Sequence, residues 1–157
     1  MANMCSNYVT FSGSEDNVKK FIEEVKALAA LSKETNEGVR PGDNGRYMFD
    51  LQIYDLEEGY FSFDSKWAPA LYSLETLGRK HSVDIVCDYE ELGCMIFGRW
   101  EYDAETNCQS DITLTEEEID SVEEDDENGT CFFEGEKYAC RNEVLELILE
   151  RKINSLS

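Results

Sequence analysis

The residues able to do chemistry are few in this chain: one histidine, His81, six cysteines, and a long run of carboxylates. A general acid or base needs a partner and a tuned pKa. His81 has no partner legible in sequence and ends an Arg79-Lys80-His81 cluster. Such cations suit the negative end of a helix, so His81 reads as a solvated helix terminus. A nucleophilic cysteine needs a base and an electropositive setting. Cys87 falls in an alternating strand and reads as a small core residue, while Cys94 follows a turn. No C-x-x-C pair, phosphate loop, nucleophile elbow or zincin motif occurs. The reading is therefore no catalytic residue, no cofactor, no metal ligand and no enzyme. Glu124-Asp125-Asp126-Glu127-Asn128-Gly129 imitates the opening of a calcium loop. Its twelfth position is Gly135, where a bidentate glutamate is required.

Charge sharpens the picture. The 157 residues carry a net charge of −21. That repels DNA and RNA and favours basic partners. Thirteen Asp or Glu and no Lys or Arg lie between positions 101 and 130, against seventeen and ten in residues 1–100. A row of carboxylates can imitate a phosphate backbone; the plainer reading of such a run is a solvated, partly disordered insertion. The carboxylates expected to meet a partner are Glu116, Glu117, Glu118, Asp120, Glu123, Glu124, Asp125, Asp126 and Glu127. The partner expected is a protein with a basic surface, with no direct nucleic acid and no membrane. No stretch approaches ~18 consecutive apolar residues. No secretory signal opens MANMCSNYV, so free thiols in a reducing cytoplasm are expected.

The elements that must carry these groups follow from periodicity. Val9 and Phe11 mark a first strand, and Ser14 caps an amphipathic helix to about Lys33. Residues 35–45 form a loop. Phe49, Leu51 and Ile53 alternate in a second strand, and residues 55–59 turn it into an aromatic third strand with Tyr60, Phe61 and Phe63. Pro69 opens a helix with Leu71, Leu74 and Leu77 on one stripe, which Gly78 and the basic cluster close. Ile85, Cys87 and Tyr89 alternate in a fourth strand, and residues 94–100 return as a fifth. The order β-α-β-β-α-β is that of an α+β, ferredoxin-like split β-α-β sandwich, with two helices on one face of an antiparallel sheet. Of Tyr8, Tyr47, Phe49, Tyr54, Phe61, Phe63, Trp67, Tyr89, Phe97 and Trp100, most are expected in its core. Residues 1–103 form this domain. Residues 104–157 form an acidic appendage packed on it, with a capping box at Thr115–Glu118, a hairpin at 131–140 and a final helix capped by Asn142.

MANMCSNYVTFSG, FSFDSKWAPALYSLETLGRK and DYEELGCMIFGRW resemble blocks of Api-like phage and prophage small proteins, over about residues 1–103. Asn3, Cys5, Asn7, Trp67, Pro69, Tyr89, Glu90, Glu91 and Gly93 match positions of that family; Met4 and Ala70 depart from it. The resemblance implies a ferredoxin-like domain of unknown function, a phage or mobile-element origin and a non-enzymatic role. Joined to the charge, it gives as the expectation a cytoplasmic accessory protein that binds and inhibits a host protein, such as one that binds nucleic acid or serves defence, through a nucleic-acid-mimicking surface. The alternatives are a small-ligand protein, with a pocket between Arg79-Lys80-His81 and the 35–46 loop, and a phage structural component. Oligomeric state stays open.

Overall fold

A computed structural model describes residues 3–55, 59–125 and 127–156. The chain runs β1 (Met4–Ser12), α1 (Glu15–Thr35), β2 (Phe49–Asp55), β3 (Tyr60–Lys66), α2 (Leu71–His81), β4 (Asp84–Glu91), a 3-10 turn (Leu92–Cys94), β5 (Ile96–Asp103) and β6 (Cys108–Thr113). Then come α3 (Glu116–Asp120), β7 (Glu123–Asp125), β8 (Thr130–Phe133), β9 (Glu136–Tyr138) and α4 (Arg141–Leu156). The large sheet is antiparallel, in the order β2-β3-β1-β4-β5-β6. Its first four strands are the ferredoxin-like set. The sheet carries on through β5 into β6, a strand the periodicity did not announce, because Cys108–Thr113 is almost wholly exposed.

Strand alternation decides the faces. Cys5, Asn7, Val9 and Phe11 of β1 align with Phe61, Phe63 and Ser65 of β3 and with Ile85, Cys87 and Tyr89 of β4. These residues bury under α1 and α2 with Phe21, Val25, Leu74, Leu77 and Trp100. Ser14 caps α1 by accepting from Asn17 N, as its position predicts. Ala70, the cap of α2, has no capping side chain of its own. Asn7, fully buried in β1, supplies the acceptor: its Oδ1 takes Ala70 N at 3.3 Å, and its Nδ2 donates to Ser65 Oγ at 2.9 Å. A buried amide satisfied on both sides fixes the start of α2 on the sheet. Burial, reinforced by Glu91, pushes the Cys5 thiol up to about 12, so it stays protonated in the core.

Several expectations are corrected. Pro69 precedes the cap of α2 and lies outside the helix. Gly78 does not stop α2: it sits inside the helix, and a Cβ there would lie 2.7 Å from Tyr102 Cδ1, so glycine permits the helix to approach β5. Of Phe49, Leu51 and Ile53, Leu51 packs against the core as alternation says, whereas Phe49 pairs with Asp64 of the outer face and Ile53, opposite Phe61, stays uncovered. The register with β3 slips twice and Asp50 has φ +49°, so Met48 reaches the core while Ile53 is exposed. Tyr8, Tyr47, Tyr54 and Trp67 are exposed, since the open sheet face and the β2 corner leave them uncovered. Asn142 does not cap α4, which begins at Arg141; its Nδ2 donates to Glu90 Oε2 at 2.8 Å. Residues 56–58 of the expected hairpin lie outside the described residues.

A second core forms on the opposite face of the sheet. Phe97 of β5 meets Leu114, Ile119, Val122 and Cys131, and α4 closes over them with Val144, Leu145, Ile148 and Leu149. The small sheet β7-β8-β9 belongs to this module.

Candidate partner-binding surface

The acidic run is built on that second core. Leu114 N donates to Phe97 O at 2.8 Å, which ties the start of the run to β5. Thr115 then forms a full capping box: its Oγ1 accepts from Glu118 N at 3.1 Å, and Glu118 Oε1 accepts from Thr115 N at 2.9 Å. Ile119, fully buried, pins the single turn of α3 to the core. Where it is described, the acidic segment is thus made of short regular elements packed on the second core.

Its carboxylates divide into two groups. Glu118, Glu124 and Asp125 are used by the fold. Lys152 Nζ lies 2.7 Å from Glu118 Oε1 and also donates to Thr113 O. Burial would raise the Glu118 carboxyl, but the bonds from Lys152 and Thr115 outweigh it and hold it below the usual range. Glu124 lies 3.5 Å from Arg141 Nε. Asp125 accepts from Glu127 N and from Asn128 Nδ2, closing the β7–β8 turn, and the Asn128 bond leads in holding its carboxyl low. Glu116, Glu117, Asp120, Glu123 and Glu127 are exposed and make no ion pair among the described residues. Asp126 lies outside the described residues. The calcium-loop imitation resolves into two hairpin turns, the second at Gly135 with φ +80°. Among the described residues no group of three His, Cys, Asp or Glu is placed to hold a metal.

The structure sets the 35–46 loop against the first half of α2 rather than around the basic cluster. There Ser73 Oγ donates to Arg46 O and Gly42 faces Thr76, whereas Arg79, Lys80 and His81 lie six to eight residues beyond Ser73, ~9–12 Å at 1.5 Å per residue. His81 is not solvated either. Its side chain is 10% exposed, and its Nε2 lies 2.8 Å from Glu24 Oε1, which also takes Lys80. Burial would raise the Glu24 carboxyl, and the bonds from Lys80 and His81 reverse that.

A second acidic feature escaped the sequence. The open sheet face and α4 enclose a cleft of about 460 Å³, whose walls include Tyr8, Tyr60, Glu90 and Glu146. Arg99 crosses it, donating to Asp88 at 2.7 Å and to Glu150 at 2.8 Å. The legible signal was the outward position of Tyr8, Asp88, Glu90 and Arg99 on alternating strands; the contribution of α4 was not legible.

Neither a curated protein nor a solved structure matches the chain. The profile of one family, described as the ferredoxin-like domain in Api92-like protein, matches residues 46–134, from the loop before β2 to the turn after β8. The matched region spans more than half of the chain, crosses the 103/104 position where the sequence placed a boundary, and contains the strands β2–β6 described above. The chain belongs to the family of the ferredoxin-like domain in Api92-like protein.

Proposed function

We propose that this is a non-enzymatic binding protein that engages a basic surface of another protein through the carboxylates of α3 and β7. The observation that carries the reading is their presentation. Glu116, Glu117, Asp120, Glu123 and Glu127 are exposed and without counter-ions among the described residues, on a turn held by a capping box and a buried isoleucine. Charges fixed on a rigid support give up little conformational freedom on association. They also steer a cationic partner and make the encounter salt-sensitive. The sole histidine is committed to an interhelical contact with Glu24, which fits a scaffold more than a catalyst. Within this reading the protein is a phage or mobile-element accessory factor in the host cytoplasm. It places carboxylates where a host nucleic-acid-binding or defence protein expects phosphates, and so inhibits it.

The test is affinity capture from host lysate at low and high salt. The variant combines Glu116→Gln, Glu117→Gln, Asp120→Asn and Glu123→Gln, sparing the carboxylates that hold the fold. The wild-type chain retains a basic protein at low salt and releases it at high salt. The variant retains none, with its melting temperature nearly unchanged. Equal capture by the variant overturns the reading. The sheet-face cleft favours one alternative, a small cationic ligand held between tyrosine rings and carboxylates. A thermal-shift screen with amines, giving a clear rise in melting temperature, would move the assignment there.

A further inference from the structure

Three of the cations that make no ion pair among the described residues lie at one corner; Lys19, Lys20, Lys26 and Lys33 of α1 and Lys137 of β9 make none either but lie outside that corner. Arg79, Lys80, Arg99, Arg141, Arg151 and Lys152 each pair with a carboxylate. Arg40, Arg46 and Lys66 make no ion pair among the described residues, although Asp43, Asp50 and Asp64 are near them in the chain. They gather at one corner, where the loop before β2 meets the end of β3 and the start of α2. Arg46 Nη1 donates to Lys66 O at 2.9 Å, and Arg40 Nη1 donates to Gly45 O at 3.2 Å. Gly45 in turn packs against Tyr72 and Ser73. Rings, not carboxylates, hold two of these charges: Arg40 lies 4.4 Å from the Tyr47 ring centre and Lys66 5.1 Å from that of Phe49. A cation over a ring keeps its charge available to a third group.

The same corner exposes aromatic surface. Tyr47, Trp67 and Tyr72 are 46%, 49% and 55% exposed, the last two among the most exposed large apolar side chains of the sandwich. Trp67 has φ +69°, a conformation that costs a bulky residue strain. Two backbone bonds hold it there, Trp67 N to Asn3 O and Ala68 N to Lys66 O, both 2.8 Å. Strain that sets an indole out in water is a signature of a site rather than of a core. Trp, Tyr and Arg are also the side chains that dominate protein interfaces.

We propose that this corner is a second interaction surface, one that takes an acidic segment of a partner protein carrying apolar side chains. The carboxylates of that segment meet Arg40, Arg46 and Lys66, and its apolar groups lie on Tyr47, Trp67 and Tyr72. Charge complementarity selects this occupant: on a chain of net charge −21 the corner sets three unpaired cations beside exposed aromatic rings. A nucleic-acid strand, with a phosphate every ~3.4 Å, would overrun so small a patch and meet the surrounding carboxylates. The corner sits at the β2–β3 edge and the acidic module at the β5–β6 end, so the two surfaces do not compete.

Tryptophan fluorescence of the full chain reads this directly, because Trp100 is buried at 1% exposure and only Trp67 faces a surface ligand. The probe is a fluorescein-free dodecapeptide of glutamates interspersed with leucines; its control has lysine for each glutamate. The glutamate peptide shifts the emission and binds more weakly as salt rises, and the lysine peptide leaves this signal unchanged. The same glutamate peptide, carrying fluorescein and followed by anisotropy, binds Trp67→Gly and Lys66→Glu at least tenfold more weakly. Trp67→Gly keeps or raises the melting temperature, since glycine accepts the positive φ without strain. The variant with four neutralised α3 and β7 carboxylates binds the peptide as the wild type does, which separates this proposal from the acidic-surface reading. Binding unchanged in Trp67→Gly, no response to the peptide at millimolar concentration, or preference for a single-stranded oligonucleotide overturns it. So does a concentration-dependent dimer that Lys66→Glu dissolves, which would give the corner to a second copy.

Discussion

The two hydrophobic cores lie on opposite faces of one sheet and are made differently. The core under α1 and α2 is aromatic, with the rings of Phe11, Phe21, Phe61 and Phe63 within 4.7–6.3 Å of one another in sequence of contact. Its centre is built on β1 and β4, which alternate cleanly. The core under α4 is mostly aliphatic, and its members are gathered from Phe97 to Leu149 through short elements. Each core supports a surface of opposite sign: the cationic aromatic corner borders the first, the free carboxylates ride on the second. A fold with one sound core can carry a second, smaller module whose outer face is free to become almost wholly anionic, because its inner face needs only a few aliphatic contacts to stay in place.

Core truncations test that division most strongly. Phe61→Ala should cost about 3–5 kcal/mol and Ile119→Ala about 2–5 kcal/mol in denaturant unfolding, since each empties a fully buried site. Their hydrogen-exchange patterns should differ. Phe61→Ala should lower amide protection in both modules, while Ile119→Ala should lower it from β6 to α4 and leave β1 and α1 protected. Uniform loss in Ile119→Ala would mean that the cores are one cooperative unit.

A smaller effect probes the acidic turn itself. Thr115→Ala removes one half of the capping box and should cost about 1 kcal/mol. It should also weaken capture of a basic partner without removing any charge, because the α3 carboxylates lose their fixed directions. Unchanged capture would show that their charge matters and their placement does not.

The smallest effect concerns the contact between α1 and α2. The Glu24 carboxyl is held below its ordinary value of 4.5 by Lys80 and His81. A depressed folded-state pKa contributes stability above the unfolded pKa and loses it as pH falls through the folded one. Glu24→Gln should therefore be less stable than the wild type at pH 7, with the difference closing below about pH 4.5. A difference that persists at pH 3 would assign the loss to packing.

Much of the first core was legible in the chain, and less of the surface. Val9, Phe61, Ile85 and Cys87 lie inward as their alternation says. Ser14 and Thr115 cap where their spacing says. Leu51 packs on the core as its alternation says, but Phe49 and Ile53 misled, because the register of this edge strand slips twice, Met48 takes the buried place and the edge leaves Ile53 uncovered. Trp67 and Tyr47 misled for a related reason: an aromatic residue in a strand-like run is read as core unless the positive φ or the open corner is known. Among the carboxylates, composition found the cluster and could not sort Glu118, which Lys152 claims from the far end of the chain, from Glu116 and Glu117 beside it.

Local pattern alone thus determined the split β-α-β order, the aromatic core, both side-chain helix caps at α1 and α3, and the concentration of negative charge, since each depends on residues a few positions apart. Tertiary structure decided the rest: the sixth strand, the partnership of His81 with Glu24, the cleft under α4, and which charges remain unpaired. The sixth strand is too exposed to alternate, and the other features join residues 34 to 57 positions apart, so no periodicity within a window can report them.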